Sequence, residues 1–332
     1  MFRSTTALSV AKSFSKALCV AAAAFGFAAL STTAAHAQMQ IAFTWDDLPA
    51  HSDLPPGVTR LQVIDQLIAG IKAANMPAPY GFVNAQALET DPTLIQVLDH
   101  WRAAGFPLGN HTYSHMNLNA NTVDAWGADL LKDEPVLQKE MGSGDYHWLR
   151  YPNLAEGNTP EKKLAARALL KQHGYKIAGV TESFADYSYN APYARCAAAG
   201  DQAAIKQLED SYLQAAADNL EFAHQMSQAL YGRDIPYILL MHIGALDAKL
   251  LPRLTELYRS HGVKFVRLED AVQDPFYKND LDPSLDPNPD TLEQAMRMKN
   301  LALPQRRRQT INLNTICRAT ATSPAPAGGT PQ

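Results

Sequence analysis

The sequence lacks a long hydrophobic run, an excess of positive charge and any internal repeat. The apolar stretch at residues 18–30 is shorter than the roughly 20 residues that a membrane span needs. The formal net charge is −4, so the chain has no electrostatic reason to seek nucleic acid or anionic lipid. The basic cluster at residues 306–308 is interpreted as a solvated face. Without a repeat or a Gly/Ser linker, the chain forms one large domain or two small ones.

The N-terminus has the layout of a secretory signal peptide, predicted over residues 1–37. Arg3, Lys12 and Lys16 form a positive region before the apolar run. Ala35-His36-Ala37 follows as a small-x-small cleavage site. The mature chain is then predicted to begin after residue 37, to be periplasmic or secreted, and to keep no membrane span. An uncleaved N-terminal anchor is the alternative.

Export bears on Cys196 and Cys317, the two cysteines that remain after cleavage. Two thiols in an oxidising compartment can pair, but the sequence does not show whether these two meet. A catalytic domain is predicted over residues 38–275, followed by a C-terminal extension over 276–319. The tail at 320–332 is rich in Ala, Pro, Gly and Thr and is predicted to be disordered.

Strand-like apolar runs alternate with helical periodicities along the catalytic domain. The strand candidates are residues 40–44, 79–83, 147–150, 175–180, 236–241 and 263–266. Such alternation implies parallel pairing through right-handed crossovers, and six or seven strands suit a closed or nearly closed barrel. We therefore predict an α/β fold, a distorted (β/α) barrel. Residues 190–233 interrupt the alternation as a helical insertion, which either covers one side of the site or is a purely structural layer.

Polar and charged residues stand where separate strand candidates end. Asp46 and Asp47 follow the first strand, Arg150 ends the third and His242 follows the fifth. In a parallel barrel these strand ends share one face, which is where active sites collect. Four such residues on three different strands are a pattern that a purely structural interpretation does not predict.

Two short motifs have the side chains of a metal site. Neighbouring carboxylates at a turn can divide their roles, so that Asp47 binds a metal while Asp46 handles a proton, although an acidic pair is more often a cap or a solvated turn. His111 and His115 would lie on one face if their segment is helical, a common arrangement for two zinc ligands, with ordinary surface or capping histidines as the alternative. Together the three ligands would leave an open position for water, as in catalytic zinc sites.

Other candidates are weaker. His51 follows the acidic pair closely and is a further candidate for the site, although loop histidines are mostly inert. Ser114 and Ser183 lack the glycines of a nucleophile elbow, which argues against a serine hydrolase. Four aromatic residues are candidates for stacking on sugar rings, with core packing as the commoner fate: Trp45, Tyr113, Trp126 and Trp148.

Five motifs in order resemble those of the NodB homology domain, the polysaccharide deacetylases of carbohydrate esterase family 4. Thr44-Trp45-Asp46-Asp47 resembles the first motif, and His111-Thr-Tyr-Ser-His115 resembles the second. Arg150-Tyr151-Pro152 resembles the third, and Asp186-Tyr187 stands where the family has Asp-Trp. Leu240-Met241-His242 resembles the fifth. The resemblance therefore extends from the first strand candidate to the last.

This resemblance implies a NodB-type distorted (β/α) barrel and a metal centre. Asp47, His111 and His115 would hold a divalent metal, usually zinc in this family. The open position would be used to activate water and to polarise a carbonyl group.

The resemblance also implies roles for the residues around the metal. Asp46 would be the general base that takes a proton from the water, and Arg150 would hold it ionised. His242 would be the general acid for the leaving amine, oriented by Asp186. The backbone N–H of Asn153 would help to stabilise the oxyanion.

The expected activity is the removal of N-acetyl groups from an exported glycan, either peptidoglycan or an N-acetylhexosamine exopolysaccharide, as a polymer or oligomer. Leu48, Asn153 and Tyr187 depart from the family pattern, which leaves the glycan itself open. The alternatives are an O-acetyl esterase or small-amide hydrolase with the same site, and a non-catalytic glycan-binding module.

Overall fold

A computed structural model describes residues 38–289, 291–307 and 311–318. The predicted signal peptide at 1–37, the predicted disordered tail at 320–332 and Arg308 of the basic cluster lie outside these ranges. Among the described residues, no helix combines the length and the apolar character needed to cross a membrane.

Seven parallel strands form the centre of the described part of the chain. They are β1 Gln40–Leu48, β2 Tyr80–Val83, β3 Leu108–Asn110, β4 Trp148–Leu149, β5 Lys176–Ile177, β6 Tyr237–His242 and β7 Lys264–Phe265. Their order is β5-β4-β3-β2-β1-β6, and β7 pairs with the start of β1. β1 is buried almost throughout, as a strand of a parallel sheet is when both of its faces are covered.

The sheet curls until its two ends approach each other. The segment after β5, at one end of the strand order, reaches β6 at the other end. The backbone N–H groups of Thr181 and Glu182 both donate to the carbonyl of Ile238 at 3.1 Å, and Leu240 donates to Glu182 at 3.1 Å. This parallel bridge makes the sheet a nearly closed barrel. The predicted fold class, a distorted (β/α) barrel, is confirmed.

Helices alternate with the strands. The helices are α1 Arg60–Ala73, α2 Ala87–Thr90, α3 Ile95–Ala103, α4 Val123–Met141, α5 Pro160–Gln172, α6 Tyr187–Ala198, α7 Gln202–Tyr231, α8 Ala245–Ser260, α9 Leu268–Ala271, α10 Lys278–Leu281 and α11 Leu292–Met298. α1 begins with a capping box between Thr59 and Gln62. α5 begins with Thr159 as N-cap and Pro160 in the first turn.

The long α6–α7 segment packs into the same hydrophobic core as the barrel. Leu208, Tyr212 and Leu220 of α7 are buried in that core. Cys196 of α6 forms a disulfide with Cys317, a pairing that the sequence left open. The segment is thus a core-packed layer that also anchors the end of the described chain.

Candidate metal centre and active site

Asp46 and Asp47 lie at the carboxyl end of β1, where the strand becomes irregular. The register with β2 shifts between Trp45 and Leu48, and Asp47 has a φ of 64°. Regular side-chain alternation would send the two carboxylates to opposite faces of the sheet. The break in the strand turns both toward the same end of the barrel, where Asp46 pairs in register with His242 of β6.

Asp46 is buried against a buried arginine. The Nη1 atom of Arg150 donates to Asp46 Oδ1 at 3.1 Å. The remaining donors of this guanidinium are fixed by the hydroxyl of Thr44 at 2.9 Å and the carbonyl of Ala178 at 2.8 Å. Because an arginine cannot lose its proton in a protein, the buried carboxylate has a permanent counter-charge. Arg150 therefore gives Asp46 a fixed cationic partner and holds its carboxylate in place beside the candidate metal centre.

His111 and His115 follow β3 in a turn, and the helical arrangement that their spacing suggested is wrong. Thr112 and His115 have φ values of 58° and 56°, which no helix contains. The side chain of Asn84 donates to the carbonyls of His111 and Thr112 at 2.6 and 2.8 Å. The Nδ1 atom of His111 donates to the Arg150 carbonyl at 2.6 Å, which leaves its Nε2 atom free to bind a metal. The turn, not a helical face, brings the two imidazoles together.

Asp47, His111 and His115 form a group that could hold a metal ion. Asp47 Oδ1 lies 3.6 Å from His111 Nε2 and 3.7 Å from His115 Nε2. Ligands about 2.0–2.2 Å from a tetrahedral zinc are roughly 3.3–3.6 Å apart, so this set fits with small adjustments. Burial lowers the pKa of His111 despite the nearby carboxylates of Asp46 and Asp47, which keeps the ring neutral as a ligand must be.

The electrostatics of Asp47 also suit a ligand. Burial favours the neutral carboxyl and by itself would raise the pKa of Asp47. The hydrogen bond from His51 and the nearby rings of His111 and His242 outweigh burial and hold this pKa well below its usual value. Asp47 is therefore an anion at neutral pH, as a metal ligand must be.

His242 faces this centre from the end of β6, and Asp186 holds it from behind. Asp186 accepts the backbone N–H of His242 at 2.6 Å and the Nδ1–H of its ring at 3.1 Å. Burial by itself would lower the pKa of His242, but the charge of Asp186 raises it to about 10. His242 Nε2, which is 4.0 Å from Asp47 Oδ2, therefore carries a proton at neutral pH. Tyr187, beside Asp186, is half exposed and lies edge-on to His242 at 5.4 Å.

The structure thus brings all seven residues of the predicted site together at one end of the barrel. It also brings in His51, which the sequence placed among the weaker candidates. His51 Nδ1 lies 2.8 Å from Asp47 Oδ2, and its ring is 4.6 Å from that of His242. The signal in the sequence was its position four residues after Asp47, but spacing alone does not show that the intervening chain folds back.

The four aromatic candidates for sugar stacking are all buried. Trp45 and Trp126 have no exposed surface, and Trp148 and Tyr113 have less than a tenth. Trp126 stacks on Tyr151 at 5.3 Å inside the protein. Core packing is the role that the structure gives these residues.

Comparison with known proteins finds one family model that matches part of the chain. Residues 34–178 match the family model described as polysaccharide deacetylase, and this confirms the resemblance seen in the sequence. The matched segment includes the acidic pair, the two histidines of the candidate metal centre and Arg150, but it ends before Asp186 and His242. No curated protein sequence matches the chain.

Several solved structures are similar to this one. A family 4 carbohydrate esterase from Streptomyces lividans is 15% identical, with a TM-score of 0.45, and the match covers 70% of this chain and 95% of that one. The chitin deacetylase of the fungus Colletotrichum lindemuthianum is 20% identical, with a TM-score of 0.49 and coverage of 70% and 87%. A family 4 pseudoenzyme from Bacillus anthracis is 13% identical, with a TM-score of 0.49 and coverage of 71% and 66%.

Proposed function

Because residues 34–178 match the polysaccharide deacetylase family model, we propose that this chain is a member of that family, a metal-dependent hydrolase that removes N-acetyl groups from an exported glycan. The observation that carries the proposal is the arrangement of three sets of residues at one end of the barrel. Asp47, His111 and His115 have the spacing of metal ligands. Buried pairs flank them on either side, Asp46 with Arg150 and His242 with Asp186.

A divalent metal, most simply zinc, would lower the pKa of a water molecule and polarise the acyl carbonyl at this site. Asp46 would accept the proton that this water loses as its oxygen attacks the carbonyl carbon. Arg150 would hold the Asp46 carboxylate in position for that step. The backbone N–H of Asn153, in the loop after Arg150, is proposed as a donor to the acyl oxygen as it gains charge.

His242 would complete the reaction on the nitrogen side. As the carbon–nitrogen bond breaks, its Nε2–H is transferred to the departing nitrogen, so acetate and a free amine leave the site. An amine is a poor leaving group without that proton. The Asp186 carboxylate keeps Nδ1 protonated and fixes the ring, so that the proton to be transferred is on Nε2, facing Asp47. Base and acid each typically contribute roughly 10²–10⁴-fold.

The proposed substrate is peptidoglycan or an N-acetylhexosamine exopolysaccharide, reached after export to the periplasm or beyond the cell. The N-terminal sequence supports export, with cleavage before Gln38. The Cys196–Cys317 disulfide supports it independently, because disulfides persist mainly in oxidising compartments. Mass spectrometry of the protein recovered from its native host tests the cleavage position.

The test of the activity pairs metal content with acetate release. Wild-type mature protein and a His111→Ala variant would be loaded with zinc, and acetate would be measured with N-acetylglucosamine oligomers and with O-acetylated sugars. We expect one equivalent of zinc and release from the N-acetylated oligomers in the wild type, and a loss of at least 100-fold in both readouts in the variant.

Other outcomes would redirect the proposal. Release from the O-acetylated sugars alone would identify an esterase on the same site. A wild type that binds glycan oligomers but no zinc would contradict the proposal and support a non-catalytic binding module.

A further inference from the structure

His51 has a contact pattern that the proposed reaction leaves unexplained. Its Nδ1 atom lies 2.8 Å from Asp47 Oδ2, while Asp47 Oδ1 faces the Nε2 atoms of His111 and His115. An ionised carboxylate only accepts hydrogen bonds, so Nδ1 of His51 carries the proton. One oxygen of Asp47 is therefore held by His51, and the other is left for the metal.

The loop around His51 is built to hold this ring in place. Arg60, in the first turn of α1, donates to the backbone carbonyls of both His51 and Ser52. Ser52 has a φ of 56°, which bends the chain back toward the end of β1. The guanidinium of Arg60 thus fixes the backbone from which the imidazole reaches Asp47.

The other nitrogen of the His51 ring, Nε2, is buried and has no hydrogen-bond partner among the described residues. The hydrogen bond from Nδ1 to Asp47 is therefore the contact through which this ring acts on the candidate site.

We propose that His51 is a positioning residue for the metal ligand Asp47, and that it also keeps the proton donor His242 free. The inference rests on the metal site of the proposed function. By holding Oδ2, His51 fixes the plane of the carboxylate so that only Oδ1 faces the metal position. Donors in this outer position typically contribute 10–100-fold to metal affinity.

The second part of the proposal follows from the position of His242. His242 Nε2 is 4.0 Å from Asp47 Oδ2, too far for a hydrogen bond, while His51 occupies that oxygen at 2.8 Å. Without His51, the Nε2 atom of His242 would face an unoccupied Oδ2. Its ring could turn toward Asp47, away from the position of the leaving amine.

The test uses three substitutions of His51, which separate the effect of the hydrogen-bond donor from the effect of the volume of the ring. Asn places an N–H donor at the same bond separation from the backbone as Nδ1, whereas Gln places it one bond further, and Ala removes it. Each His51 variant would be stripped of metal, and its zinc affinity would be measured by competition with a chromophoric chelator. Stoichiometry would come from elemental analysis, and thermal unfolding of the metal-free proteins would check the fold.

We expect His51→Ala to bind one equivalent of zinc about 10–100-fold more weakly than the wild type. His51→Asn should restore the affinity to within a few-fold, and His51→Gln should not. With an active substrate, kcat should fall in the Ala variant while KM changes little. His100→Ala is the matched control, because His100 Nδ1 bonds Asp65 at 2.7 Å between α3 and α1, and it should bind zinc like the wild type. If His51→Ala does not fold, the difference in zinc affinity between His51→Asn and His51→Gln tests the proposal.

Two results would overturn the inference while leaving the proposed function standing. Equal zinc affinity in the wild type and in His51→Gln would show that the hydrogen bond does not position the ligand. Two equivalents of zinc in the wild type and one in His51→Ala would make His51 itself a ligand, within the group Asp47, His51 and His242. Zinc binding without acetate release would instead fail the proposed function alone, because affinity is measured without substrate. A wild type that binds no zinc would overturn both.

Discussion

Two residues that are neighbours in the chain have entirely different partners in the site. Asp46 is paired with the guanidinium of Arg150 at 3.1 Å, and Asp47 is shared between His51 and the metal position. The positive φ at Asp47 creates this division, because it rotates the second carboxylate away from the arginine. A guanidinium beside one acid and imidazole rings beside the other give the pair two chemical roles.

At the same scale, Asp186→Asn should move the alkaline limb of the pH–rate profile to lower pH. Asp186 raises the pKa of His242 to about 10, against the opposite effect of burial. A general acid works only while protonated, so the wild-type limb lies near the alkaline end of the measurable range. Without the charge of Asp186, the pKa of His242 falls, because burial lowers it and only the more distant charges of Asp47 and Asp46 still raise it. We expect at least a tenfold loss of kcat/KM at pH 8 and a smaller loss at pH 6.

Asp65→Asn is the control for this experiment, because Asp65 also bonds the Nδ1 atom of a histidine, His100, at the protein surface. Its pH–rate profile should match that of the wild type. An Asp186→Asn profile reduced by the same factor at every pH would show that Asp186 only orients the ring and does not set its proton affinity.

At the scale of elements, the metal ligands depend on a turn that has no regular hydrogen-bond ladder of its own. The turn from His111 to His115 is held from outside. Asn84, after β2, clamps two of its carbonyls, and Asp129 of α4 accepts the backbone N–H of Ser114 at 3.0 Å. Two neighbouring elements therefore fix the separation of the histidines.

Asn84→Ala should weaken zinc binding roughly tenfold, since it removes two hydrogen bonds worth about 1 kcal/mol each. The freed turn can relax, and His115, which is part exposed, should move further than the buried His111. Chelator competition on the metal-free variant measures the loss. Asn279→Ala, which removes one bond to the carbonyl of Asp286 in the C-terminal extension, should leave the affinity unchanged. Wild-type affinity in Asn84→Ala would mean that Asp129 alone holds the turn.

The sequence predicted the elements better than it predicted their irregular ends. Apolar runs predicted the barrel and six of the seven strands of the described chain, because burial leaves a local signal, but they did not predict β3, which is three residues long. The helical reading of residues 111–115 was wrong, because the two positive φ values are held by Asn84 and Asp129, which are distant in sequence. The contact of His51 with Asp47 and the Cys196–Cys317 disulfide depend on chain reversals of the same kind, which a spacing rule does not contain.

At the scale of the whole molecule, the C-terminal extension is joined to the α6–α7 layer by a disulfide and by several separate non-covalent contacts. The disulfide joins α6 to Cys317, and Arg195 of α6 donates to the carbonyl of Leu313 at 2.9 Å. Arg306 lies 4.1 Å over the ring of Phe222 of α7 and pairs with Glu293 at 2.7 Å. None of these residues belongs to the candidate site, so we expect these contacts to affect the stability of the protein and not its catalysis.

Replacing both Cys196 and Cys317 by Ser should therefore lower the thermal stability and leave zinc affinity and kcat unchanged at 25 °C. The cross-link closes a loop of 121 residues that spans α7, β6, β7 and the extension, so it restricts the unfolded chain strongly. Such a bond typically contributes about 2–4 kcal/mol, which corresponds to a fall in Tm of roughly 5–15 °C. Differential scanning calorimetry of the metal-free proteins measures it, and wild type reduced with dithiothreitol should behave like the double variant.

The shape of the calorimetric trace then shows whether the disulfide stabilises the C-terminal extension alone or the barrel as well. If the extension and the barrel unfold together, the double variant should show one transition, displaced to lower temperature. If the extension is bound only locally, the main transition should stay at the wild-type temperature, and residues 276–318 should become open to proteolysis below it. The second result would contradict the expected fall in Tm. The first would mean that the disulfide stabilises the barrel, and with it the strand ends that carry the site, through the α6–α7 layer.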